Sequence, residues 1–185
     1  MSVKSGDGYA VEMVQLLKPF SYKDSKDVTW DVPEGFISDG ASIPETLWAV
    51  IGGPYSGPYR DASVIHDYVC YTKKRKWEDT HNVFLEAALN RGTPERKAEY
   101  MYAAILLKGP RWPTPQSAGL SRGLVFAQVV PTPAAPAPSP PSAAGKTDQQ
   151  IFDELRIWIE TAKPTRDEIR KRVEELRKTQ TPIKK

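Results

Sequence analysis

The chain has 185 residues, 39% of them hydrophobic, with a formal charge of +3 and one cysteine. That length predicts one domain with appendages. The charge is small and interleaved with acids, which excludes a nucleic-acid surface, and the lone Cys70 excludes an internal disulfide framework or a multi-cysteine zinc site. No apolar run approaches the roughly 18 residues needed to span a bilayer, and Met1 to Gly8 contain no apolar signal core.

Residues 10–20 read as a strand ending at Pro19. A second short strand holds Val28 and Trp30, and Pro33 and Gly35 turn the chain into Phe36-Ile37. Asp39-Gly40 makes a tight turn, and Ser42 and Pro44 open a helix that ends at Gly52-Gly53. Residues 52–60, rich in Gly and Pro, form a loop whose carbonyls suit a hard cation, although an ordinary interhelical turn has the same composition.

A helix from about Asp61 to Tyr71 carries His66 and Asp67, embedded among Ala62, Val64, Ile65 and Val69. A polar pair in an apolar face must find partners or lose stability. The next helix, from about Lys76 to Asn90, turns Trp77, His81, Phe84 and Ala88 inward at 3.6-residue spacing. Asp79 lies about 160° round that helix from His81. His66 and His81 are the two histidines of the chain, and the spacing predicts that they face each other. Thr93-Pro94 opens another helix by a cap and a first-turn proline. Its apolar stripe is Ala98, Met101, Tyr102 and Ile105, and Gly109-Pro110 ends it.

Residues 113–145 are rich in Pro, Ala and Ser and read as an extended linker. They contain one apolar island, Leu124 to Val130. Thr147-x-x-Gln150 and Thr165-x-x-Glu168 are capping boxes opening two helices. Their stripes are Ile151, Leu155, Trp158 and Ile159, then Ile169, Val173 and Leu176. Each is too short to stand alone in water, so they pair as a hairpin, dock on a partner or self-associate. The expected organisation is an α+β domain over residues 1–112, with a small antiparallel sheet packed on a helical body. A linker at 113–145 and a helical segment at 146–185 follow.

Several pieces together resemble the domain of unknown function family 1353, common in bacteriophages and prophages. They are Val32-Pro-Glu-Gly-Phe36, Asp39-Gly-Ala-Ser-Ile-Pro44, Trp48, His66-Asp67-Tyr68, Phe84 to Leu89, Met101-Tyr102 and Gly109-Pro-Arg-Trp112. The resemblance implies a phage context, hence host cytoplasm or virion, and phage structural proteins as partners for the linker and terminal helices. A second likeness concerns chemistry: Gly-x-Pro-Tyr followed by Ala-x-x-His-Asp is similar to calcium-dependent phospholipase A enzymes. Carried over, His66 is the base that activates water and Asp67 the metal ligand. Oxygens from Asp39-Gly40 or from 52–57 complete the site, and His81 stands where those enzymes place an orienting Asp. Cys70 occupies the position of their tyrosine. This implies a hydrolase acting on a lipid or cell-envelope substrate with calcium, or with zinc if the histidines ligate. The alternative is a tail- or capsid-associated assembly protein in which the same residues form a buried network.

Overall fold

The computed structural model describes residues 2–4, 10–38, 57–113 and 146–179. It is an α+β protein. Six short strands, β1 (Ser2–Lys4), β2 (Ala10–Glu12), β3 (Val14–Gln15), β4 (Phe20–Lys23), β5 (Thr29–Val32) and β6 (Ile37–Ser38), precede five described helices. The helices are α1 (Arg60–Thr72), α2 (Trp77–Asn90), α3 (Glu95–Lys108), α4 (Asp148–Ala162) and α5 (Arg166–Thr179). The strands pair antiparallel as β1–β2, β3–β6 and β4–β5. The single strand expected at residues 10–20 is three segments with three different partners. Pro19, which has no N–H to give a ladder, lies just before β4.

The β4–β5 hairpin shows why short strands suffice. Tyr22, Trp30 and Val32 turn inward while Ser21, Thr29 and Asp31 remain exposed, the two-residue alternation of a half-buried sheet. Asp24 fastens its turn: one carboxylate oxygen accepts the backbone N–H of Lys26 and of Val28, and the other accepts the Trp30 indole N–H, all at 2.9 Å. Burial raises the Asp24 pKa, but these donors outweigh it and hold the carboxyl below its ordinary value. Asp27 takes the left-handed conformation in the turn, with φ 62°.

The body is helical. α1 packs on α2 and on β5 and β6, and α2 packs on α3. α1 and α2 are joined through Lys73, whose left-handed conformation (φ 52°) lets its N–H close on the Val69 carbonyl. Thr93 does not cap α3. Pro94 holds the cap position, and the Thr93 N–H closes the end of α2 on the Ala88 carbonyl. α3 is buried nearly all round, from Ala98 to Leu107, because α4 and α5 cover the side that α2 leaves open. Ile151, Phe152, Leu155, Ile159, Ile169 and Val173 supply the apolar seam. Arg111–Glu174 and Lys108–Asp148 ion pairs flank it. The terminal helices contact each other and both dock on the chain's own α3, a target that the expected hairpin, partner docking and self-association did not include. The expected helix after Ser42, the linker and the Leu124–Val130 island lie outside the described residues.

Candidate functional site

α1 and α2 lie side by side and bring the two histidines together. His66 Nε2 and His81 Nδ1 are 3.0 Å apart, with ring centroids at 5.0 Å, and both residues are fully buried. Phe84 meets the His66 ring edge-on at 5.7 Å, and Trp77 lies 5.4 Å from the His81 ring. One turn along α1, the Cys70 sulfur is 3.6 Å from His66 Nδ1. Asp67 is buried beside the pair, its carboxylate 3.9 Å from His66 Nδ1. The Ser38 hydroxyl, at the end of β6, donates to the other Asp67 oxygen.

Burial pushes the His81 pKa down to about 2, helped by the positive charge that His66 would carry and by the Arg111 and Arg177 guanidiniums. His81 is therefore neutral at ordinary pH. One of the two facing nitrogens must carry the hydrogen of the pair. If His66 Nε2–H donates, His66 Nδ1 keeps a lone pair, with the Asp67 carboxylate 3.9 Å away; the Cys70 sulfur, 3.6 Å from Nδ1 and 3.7 Å from Nε2, lies off the line of that lone pair. His81 Nε2, on the far side, has no hydrogen-bond partner among the described residues. Gly109 closes over it: a β-carbon there would overlap the Ile105 carbonyl oxygen and stand 3.2 Å from His81 Nε2.

Of the four residues singled out in the sequence, three are together: His66, His81 and Asp67. Asp39, with residues 52–56 of the proposed cation loop, lies outside the described residues. The described residues do not by themselves make a metal site, for no group of three His, Cys, Asp or Glu side chains among them is arranged to hold an ion. Asp67 offers one carboxylate, and the facing imidazole nitrogens are spent on each other. Zinc ligation by both rings would require them to turn apart.

Sequence reasoning missed Ser38, Gly109 and Arg111. Ser38 immediately precedes the Asp-Gly turn, and that adjacency to Asp39 was its signal. Gly109 and Arg111 belong to the Gly-Pro-Arg-Trp fragment already visible in the sequence. The Arg111 guanidinium stacks over Trp77 at 4.3 Å and anchors the wall behind His81.

This histidine pair lies inside a recognised sequence family. Residues 14–105 match the family described as "Protein of unknown function (DUF1353)". They form a domain of that family. An uncharacterized protein of Sinorhizobium fredii, y4jT, is 47% identical over 100 residues, 54% of this chain and 30% of its own length. A second from the same organism, y4iH, is 39% identical over 99 residues, 53% of this chain and 41% of its own. The chain thus spans less than half the length of these relatives. No solved structure matches it significantly.

Proposed function

We propose that this DUF1353 domain is a phospholipase-like hydrolase of a phage-related protein, acting on an ester or amide of a lipid or cell-envelope substrate. The observation that carries the reading is the 3.0 Å contact between His66 and His81 beside Asp67. It has the order of a relay in which one group orients a base and the base activates water. A neutral His81 accepts the His66 Nε2–H and fixes the tautomer, leaving His66 Nδ1 to take a proton from water. The imidazolium so formed gains no counter-charge from His81, unlike a base oriented by a carboxylate. Asp67 is committed to the cation in this reading, so the His66–His81 hydrogen bond alone orients the base. Calcium is the cation suited to the Asp67 carboxylate, with Asp39 and the 52–57 loop as the further oxygen donors that this reading assigns.

The test is turnover of phospholipid and simple ester substrates by the full chain with calcium, together with thermal melts. His66→Ala is expected to lower the rate by about 10²–10⁴-fold, the usual contribution of a general base, while calcium binding persists. Asp67→Asn is expected to weaken calcium binding. Undiminished turnover in a folded His66→Ala protein ends the proposal.

A second reading, a phage assembly protein with a buried polar network, draws on the complete burial of both imidazoles. It expects no turnover in any form, and a loss of about 1–3 kcal/mol of stability in His66→Ala from the hydrogen-bond partner left behind.

A further inference from the structure

A cleft of about 420 Å³ opens on the outer side of α2, formed by the β4–β5 turn, residues 74–76, α2 and the start of α5. Lys26, Lys74, Arg75, Lys76 and Arg166 line it. Three carboxylates share the lining, but two are already engaged. Asp24 holds its own turn, and Glu86 accepts the Ser25 N–H at 2.6 Å, the Ser25 hydroxyl at 2.8 Å and the Tyr22 hydroxyl at 3.0 Å. Arg75 is spent too, donating to the Thr29 carbonyl at 2.9 Å and stacking on Trp30. Among the described residues no carboxylate forms an ion pair with Lys26, Lys74, Lys76 or Arg166. The α2 N-terminus also opens at this cleft, and Lys76 gives it no side-chain cap. Its positive end adds to these cationic groups, offset in part by Glu78 and Asp79 in the first turn. Asp79, exposed in the first turn of α2, is the third carboxylate; Asp24 and Glu86 keep their charges while hydrogen-bonded, so the five basic side chains outnumber three acids in the lining.

We propose that this cleft binds a phosphate-bearing ligand, with the anionic group held by Lys26, Lys76 and Arg166 and the remainder against Val28 and the Arg75 side chain that covers Trp30. Ammonium groups serve phosphate as point charges and the guanidinium as a fork, and the volume is that of a small-molecule site. The binding stands independently of the His66 reading. Arg166 arrives from α5, outside the residues that match the family, so the site is completed only where the terminal helices are docked.

The experiment is calorimetric titration of the full chain with inorganic pyrophosphate, alongside sedimentation with phosphatidylcholine vesicles containing phosphatidylglycerol. Saturable pyrophosphate binding is expected. It should weaken at least about tenfold in Lys76→Glu and Arg166→Glu, as when a charged contact becomes a repulsion. It should tighten in Asp79→Asn and stay unchanged in Lys171→Glu, on an exposed position of α5. Vesicle binding that pyrophosphate competes away assigns the phosphate to a lipid headgroup. Pyrophosphate binding without vesicle binding assigns it to a soluble ligand. No saturable pyrophosphate binding, or equal weakening by Lys171→Glu, overturns the proposal. If a glutamate variant fails to melt cooperatively, Lys76→Gln and Arg166→Gln replace it and carry the same expected loss.

Discussion

At the scale of single residues, His81 carries the clearest physical signature. Its folded pKa of about 2 lies far below the ordinary 6.5. Below about pH 6.5 the unfolded chain therefore gains a proton that the folded chain refuses. Stability from this source is complete above that pH and is lost as pH falls toward 2, by about 1.4 kcal/mol per pH unit. His81→Asn keeps an acceptor for the His66 N–H and removes the titration. Denaturant unfolding between pH 6 and 4 should show the wild-type protein losing stability more steeply than this variant by about that slope. Parallel pH dependences would mean that His81 protonates readily in the fold and that its orienting role is misassigned. The facing of His66 and His81 was legible because both fall on apolar stripes at helical spacing. The Asp67–Ser38 bond was not, since it joins a strand end to a helix 29 residues away and no periodicity links them.

At the scale of elements, local chemistry was the most readable. Both terminal capping boxes form as their sequences dictate. Thr147 Oγ accepts the Gln150 N–H at 3.3 Å and Gln150 Oε1 accepts the Thr147 N–H at 2.8 Å. Thr165 and Glu168 repeat the exchange at 3.4 and 2.7 Å. Thr93 shows the limit of such reading. A Thr-Pro pair signals a helix start and α3 does begin there, yet Pro94, which has no side-chain acceptor, holds the cap position and the buried Thr93 hydroxyl has no hydrogen-bond partner among the described residues. The N-terminal strands were misjoined because residues 10–15 carry no alternation strong enough to specify which strand each will meet. Thr147→Ala removes one cap on an exposed helix end and should cost about 1 kcal/mol. A cap variant as stable as wild type in urea unfolding would show that packing on α3 alone holds α4 in place.

At the scale of the whole molecule, the terminal hairpin covers a face of the family domain and is part of one hydrophobic core with it. Phe152, Leu155, Ile159, Ile169 and Val173 are as deeply buried as Met101, Tyr102 and Ile105 of α3. Arg177 reaches the Leu106 and Leu107 carbonyls, satisfying acceptors at the α3 C-terminus that the helix cannot satisfy itself. Arg170 does similar work deeper in the seam, donating to Asn82 Oδ1 at 2.7 Å, which also accepts the Tyr102 hydroxyl. The stripes on α4 and α5 were visible in the sequence, but their target was not, because an amphipathic helix states which face it buries and not against what. The covalent connection is therefore expected to be dispensable once the fold has formed. A site-specific protease sequence inserted between residues 131 and 145 allows the chain to be cut after folding. The two pieces should co-elute on gel filtration in native buffer and separate in urea. Phe152→Ala, which removes a ring from the seam at a cost of about 3–5 kcal/mol, should make them separate at lower urea concentration. Independent elution of the cut wild-type pieces in native buffer would show that the covalent connection, rather than the packed seam, holds the hairpin on α3.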